Sequence, residues 1–370
     1  MEMPAVSVII PLFNAEKFIG ECLDSVLNQT FKNFEVIVVD DCSTDSSVDI
    51  VNSYAPKFAG RLQLSSTKKN SGSPVVPRNR GIELSRGKYL FFLDSDDVIS
   101  PTALEELYPV AEDFAADVVH CESFFRTDEE QWNYDKVMRL FEDYRHQSDK
   151  AAPHLLSDDI AERLEQFKKY GFMFVVWAQL IRRKFLIENG LKFTGLYGED
   201  GLFIRSELYC AERYLIVSNR VNCYRLRDDS NIHRTIAWDE YLHSRLYTLK
   251  VGMSRLEKLL DEQKYFAQRP QFKYSLLENF TKVSLELVEK VFAKTEPHLI
   301  AEFLRQEFGV ENSLTTATLF TLAARHLFKE KYVADLQRIN REQAAYISEL
   351  EKFIVQSQRR VAESEAEKNL

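Results

Sequence analysis

Leu90-Phe91-Phe92-Leu93-Asp94-Ser95-Asp96-Asp97 sets an unbroken apolar run against three carboxylates packed into four positions. A segment apolar at every position suits a strand covered by helices on both faces, as in parallel sheets. The acids would then stand at the carboxyl end of that strand, where open α/β sheets bind their ligands. Three neighbouring carboxylates repel one another, and a hard divalent cation with oxygen ligands relieves the repulsion most simply. The competing reading is an acidic turn that caps the helix expected after Pro101.

Working outward, the same grammar repeats. Val6 to Ile10 is a β-branched run ended by Pro11, and Phe18, Ile19, Cys22, Leu23, Val26 and Leu27 follow at helical spacing behind Asn14, a candidate N-cap. Val36 to Val39 is a second apolar run that also ends in acids, Asp40 and Asp41, and Asp45 or its neighbours would cap the next helix. Lys68 to Pro77 reads as a loop, Arg78 to Ser85 as a short helix stopped before Gly87, and Asp117 to Cys121 as a further strand. Repeated β-α-β alternation predicts right-handed crossovers and a mainly parallel sheet, with Asp41 and Asp96 facing one crevice.

Composition bounds the function. The chain has 370 residues, enough for more than one structural unit, and a net charge of −9, which gives a nucleic acid no electrostatic footprint. Five scattered cysteines without CxxC pairs argue for reduced thiols rather than a disulfide framework. No segment reaches the ~18 consecutive apolar residues of a membrane span, and Met1 to Ala5 does not read as a signal peptide. A cytoplasmic location is expected.

Five blocks in order carry a resemblance: Val6-Ser-Val-Ile-Ile-Pro-Leu-Phe-Asn14, Ser25-Val-Leu-Asn-Gln-Thr-Phe31, Val38-Val-Asp-Asp-Cys-Ser-Thr-Asp45, Pro77-Arg-Asn-Arg-Gly-Ile82 and Phe92-Leu-Asp-Ser-Asp-Asp97. Together they resemble the family 2 glycosyltransferases of GT-A fold, strongly over the first 120 or so residues and more weakly to about Thr235. The resemblance implies a Rossmann-like α/β domain with a mainly parallel sheet, and an inverting transfer from a nucleotide-sugar, expected to be a UDP-sugar, to a hydroxyl of a glycan or lipid-linked glycan. It assigns Asp41 to the uracil imide, and Pro11 and Phe13 to the turn against the base. It gives Arg78 to the base or diphosphate, and Asp94 and Ser95 to the donor. Asp96 becomes the ligand of Mn²⁺ or Mg²⁺, a metal that would act as Lewis acid on the departing diphosphate.

Tyr197-Gly198-Glu199-Asp200-Gly201 resembles the family's Glu-Asp motif, which makes Asp200 the expected general base and Glu199 its acceptor-side neighbour. Trp177 fits the family's acceptor-side tryptophan. Arg227 stands where the family often has a histidine; it could bind the diphosphate bidentately, and the departure leaves a metal-ligand role for this loop without support.

From Trp238 the pattern turns helical. The expected organisation is a catalytic domain over 1–235, an α-helical region over 236–332, and a helical tail over 333–370. Ser313 to Phe328 is an apolar helix edged by basic residues, suited to burial in a bundle or to peripheral contact with the inner face of a membrane. Val333, Leu336, Ile347, Leu350, Ile354 and Val361 recur near a 3.5-residue spacing interrupted by polar residues, a marginal coiled coil that predicts a homodimer. The alternative to an enzyme is a non-catalytic module of the same fold recruited through its tail, and the presence of Asp41, Asp94, Asp96 and Asp200 favours the enzyme.

Overall fold

A computed structural model of the chain describes residues 3–146, 151–159, 162–163, 166, 175–193 and 199–227, with isolated positions beyond 238. The chain divides into two compact units, Met1–Leu256 and Glu257–Leu370, and every element below belongs to the first. The apolar helix expected over Ser313 to Phe328 and the tail seam lie outside the described residues.

The apolar runs became strands. β1 (Val6–Leu12), β2 (Phe34–Asp40) and β4 (Tyr89–Phe92) are buried along their whole length, and β1 lies parallel to both of the others. Because Leu12 pairs with Asp40 and Ile9 with Phe92, all three strands end at one edge of the sheet. Phe13, Asp41 and Asp94 therefore leave the sheet together. Burying Leu90, Phe91 and Phe92, each fully enclosed, stabilises the centre by about 1.5–3 kcal/mol per side chain. This centre leaves little room elsewhere: a Cβ on Gly87 would stand 2.5 Å from the backbone nitrogen of Ser7.

The eight-stranded sheet runs β3-β2-β1-β4-β9-β6-β10-β8, with β3 at Leu62–Ser66, β6 at Val118–Cys121, β8 at His154–Leu155, β9 at Gln179–Arg182 and β10 at Tyr214–Val217. It is mainly parallel. The exceptions are β9, antiparallel to both β4 and β6, and β8 at the edge, antiparallel to β10. A second sheet, β5-β11-β7, joins Val98–Ile99, Asn222–Leu226 and Phe125–Asp128. It packs Val98 and Cys223 against Val137 and Phe141 of α5 (Tyr134–Arg145).

The helices are α1 (Ile19–Leu27), α2 (Ser47–Tyr54), α3 (Val75–Leu84), α4 (Ala103–Asp113), α5, α6 (Arg183–Glu188) and α7 (Glu199–Cys210). Asn14 does not cap α1, as its place in the sequence suggested. It takes the left-handed conformation at φ 45°, and its Oδ1 instead accepts the N–H of Thr44 at 2.8 Å. Asp45 does serve α2, accepting the N–H of Ser47. All five cysteines are free, and no helix among the described residues is long and apolar enough to cross a membrane.

Candidate active site

The crevice opens where β1, β2 and β4 end. Pro11 is buried inside β1, opposite Val39, whereas Phe13, one step past the strand, leaves 45% of its surface in solvent. An apolar ring kept wet at a strand end is available to a ligand. The turn beneath it is locked to the next strand end through Ser43 Oγ, which accepts the N–H of Asn14 at 3.0 Å.

Asp41 is buried and accepts three hydrogen bonds. The Thr67 hydroxyl donates to Oδ1 at 2.7 Å, and the Ser71 N–H and hydroxyl both donate to Oδ2 at 2.8 Å. A carboxylate offers about four acceptor positions, so one remains for a ligand N–H.

Arg78 joins the two halves of the site. It sits in the first turn of α3, 3% exposed, and its guanidinium forks between Asp94 Oδ1 at 2.8 Å and Asp200 Oδ1 at 2.7 Å. Its flat face lies 5.3 Å from the Phe193 ring centre. A planar fork with fixed donor directions holds two carboxylates at once as an ammonium could not. Asp200 belongs to the first turn of α7, where the helix N-terminus favours a negative charge, and its Oδ2 also accepts the N–H of Val176 at 3.4 Å. Glu199 opens the same helix.

The turn after β4 carries the acids. Asp94 and Ser95 are half-buried. Asp96 Oδ2 pairs with Arg227 Nε at 3.0 Å. Burial raises the Asp96 carboxyl above its ordinary range, opposed by Arg227 and reinforced by Asp94. Asp97 has no exposed surface; its Oδ1 accepts the N–H of Arg225 at 2.9 Å, and its Oδ2 meets no donor. Burial first, then the charges of Asp96 and Asp94, push the Asp97 carboxyl well up.

Three residues that the sequence did not single out hold this turn. Arg225 lies 3.6 Å from the Trp132 ring centre and 4.9 Å from that of Phe18, donates to the Asp96 carbonyl at 3.1 Å, and pairs with Glu21. Trp132 donates its indole N–H to the same Glu21 at 2.8 Å. Arg227, expected at the diphosphate, is also stacked over Phe18 at 4.6 Å. Strand alternation was the available signal for Arg225, since it shares a face of β11 with buried Cys223. Trp177, expected to meet the acceptor, is 4% exposed. It stacks on Tyr224 at 5.7 Å with Phe124 edge-on at 4.5 Å, as part of the hydrophobic core.

The donor chemistry fits a hard divalent cation. Each ion pair engages one oxygen of its carboxylate, which leaves Asp94 Oδ2 and Asp96 Oδ1 outside those pairs. Among the described residues no group of three or more His, Cys, Asp or Glu side chains could hold a metal ion. A cation here would therefore complete its shell with ligands from elsewhere, as Mg²⁺ commonly does with substrate phosphates.

A family model described as Glycosyl transferase family 2 matches residues 7–189, a span that holds Asp41, Arg78 and the Asp94 to Asp97 turn but not Asp200. The uncharacterized glycosyltransferase YibD of Escherichia coli is 32% identical over 234 residues, 62% of this chain and 64% of YibD, so the chain spans just under two-thirds of that relative. Poly(ribitol-phosphate) beta-N-acetylglucosaminyltransferase TarP of Staphylococcus aureus is 40% identical over 119 residues, 32% of this chain and 36% of TarP. Staphylococcus aureus TarS 1–349, solved in complex with UDP-GlcNAc, overlays with a TM-score of 0.50 at 24% identity, covering 70% of this chain and 72% of that one, and shares the fold. Glycosyltransferase EpsJ of Bacillus subtilis is 31% identical over 254 residues, 68% of this chain and 70% of EpsJ. Identity sustained over that length is more than a shared fold requires, and the chain belongs to glycosyl transferase family 2.

Proposed function

We propose that this chain transfers a hexosyl or N-acetylhexosaminyl group from a UDP-sugar to a hydroxyl of a glycan or lipid-linked glycan, with inversion. The observation that carries the reading is the single guanidinium of Arg78 shared by Asp94 and Asp200. It sets an acid of the turn after β4 beside an acid of α7. Asp200 would take the proton of the acceptor hydroxyl as that oxygen attacks the sugar.

Asp41 would accept the imide N–H of uracil, with Phe13 against the ring. Arg227 stands beside Asp96, where a diphosphate could exchange for the carboxylate as its partner. Asp96 would hold Mn²⁺ or Mg²⁺, which when bound supplies Lewis-acid stabilisation of the leaving diphosphate. The donor class draws support from TarS, solved in complex with UDP-GlcNAc. A hydroxyl acceptor draws support from relatives named as transferring to poly(ribitol-phosphate), a polyol-phosphate polymer rather than a glycan.

Two variants test the assignment. Asp200→Asn keeps size and most hydrogen bonding but cannot take a proton, so transfer should fall by roughly 10² while UDP-sugar binding and slow donor hydrolysis persist. Asp96→Asn should abolish the Mn²⁺-dependent part of UDP affinity in calorimetry without unfolding the chain. Transfer by Asp200→Asn within a few-fold of wild type would remove Asp200 as the base.

A further inference from the structure

Behind Asp200, on the side of α7 that faces the sheet, lies a buried polar cluster with no part in the chemistry above. Glu207 follows Asp200 by two helical turns, which puts both on one face of α7. It has no exposed surface, and neither carboxyl oxygen meets an N–H or O–H donor. Its polar neighbour is Gln179 of β9. Gln179 has already committed its amide nitrogen, which lies 2.8 Å from His120 Nδ1 and 3.1 Å from the Tyr214 hydroxyl. What it still offers is Oε1, which is buried and without a donor of its own.

Buried acceptors without donors on two neighbouring side chains are costly unless one of them carries a proton. Glu207 is the one that can. Its carboxyl is pushed well above the ordinary range by burial; the neighbouring Gln179 opposes that push and the charge of Asp200 adds to it. Among the described residues, the other groups around it supply no compensating cation. From β6, His120 is held neutral, its pKa lowered by burial to about 4. From β10, the Tyr214 phenol is pushed well up. Arg163 spends its guanidinium on the carbonyls of Leu208, Ala211 and Glu212 at the far end of α7.

Gln179 directly follows the turn Val176–Ala178, and Val176 is the residue whose N–H meets Asp200. The short stretch from 176 to 179 thus touches α7 at both of its same-face acids. We propose that Glu207 is a positioning residue, a neutral carboxylic acid donating to Gln179 Oε1, which fixes the register of α7 along this stretch and so sets where Asp200 meets the acceptor hydroxyl. The proposal rests on Asp200 being the base.

The test compares Glu207→Gln with Glu207→Ala in the full chain. A glutamine amide presents the same N–H to Gln179, so transfer should stay within about two-fold of wild type. The alanine loses the link, and the transfer kcat should fall roughly 10-fold or more while the UDP-sugar KM and slow donor hydrolysis hold. The infrared band of a protonated buried carboxyl should be present in wild type at neutral pH and missing in Glu207→Gln. Should the alanine variant fail to fold, the glutamine variant and the band decide. Glu207→Gln as impaired as an alanine, or no such band in wild type, overturns the proposal. Asp200→Asn run alongside separates the failures: wild-type transfer there removes the base, whereas the band and the tolerance of glutamine report on Glu207 alone.

Discussion

Replacing Arg78 by methionine removes the cation that, among the described residues, Asp94 and Asp200 share. Breaking a buried ion pair from one side costs about 3–5 kcal/mol. Arg78 is 3% exposed while its partners keep 27% and 18% of their surfaces in water, which argues for the low end. Loss of the contact with Phe193 adds about 0.5–1 kcal/mol. A total near 3–4 kcal/mol in a unit of this size corresponds to a fall in Tm of roughly 6–15 °C. The sharper expectation is a coupling. In wild type, Asp200→Asn removes a partner of Arg78 and destabilises. In the Arg78→Met background that pair is already gone, so the same change should cost about 1–2 kcal/mol less. Urea unfolding of the four proteins of this cycle, followed by circular dichroism, measures both effects. If Asp200→Asn destabilises equally in both backgrounds, Arg78 does not tie the two acids together and the observation behind the proposed function loses its force.

Phe13→Ala should leave the melting temperature unchanged and weaken UDP binding by about 1–3 kcal/mol, the worth of one base stacked on an aromatic ring; unaltered affinity in calorimetry would exclude the stack. Gly87→Ala forces a Cβ to within 2.5 Å of the Ser7 nitrogen and should cost about 1–3 kcal/mol of overpacking strain, read from the urea midpoint. His120, lowered by burial to about 4, contributes stability that is present above pH ~6.5 and is lost as pH falls toward 4, because the unfolded chain takes up the proton first. Glu207 and Asp97, whose carboxyls are raised, slope the other way, so the comparison with His120→Gln isolates the histidine. The variant should gain about 2–3 kcal/mol on wild type between pH 7.5 and 4.5, and parallel pH profiles would refute it.

The strands at Val36 to Val39 and Leu90 to Leu93 were legible because burial on both faces leaves an unbroken apolar run, and the acids were legible because such runs ended in them. What escaped depends on contacts between segments far apart in the chain. The antiparallel β9 is read as strand only once β4 and β6 stand on either side of it. Arg225 sits in a basic stretch with Arg227 and Arg234, where alternation with Cys223 is the one local hint of its burial; its partners Glu21, Trp132 and the Asp96 carbonyl come from three other segments. Trp177 shows the converse. Local resemblance put it at the acceptor, while its burial comes from Phe124, just ahead of β7, and from Tyr224 of β11. Glu207 looks like an ordinary helix-surface acid until α7 is laid on the sheet.

The bond from the Arg225 N–H to Asp97 closes a loop of 128 residues, and the pair between Arg225 and Glu21 one of 204. Contacts across such separations form slowly, since the chain must surrender loop entropy before they reward it. During synthesis β1, β2 and β4 can pair as soon as they emerge, yet the acidic turn between β4 and β5 stays unbraced until β11 arrives. Ability to bind the diphosphate should therefore be the last property a refolding chain regains, appearing after native secondary structure and together with the change in Trp132 fluorescence as Arg225 docks beneath its ring.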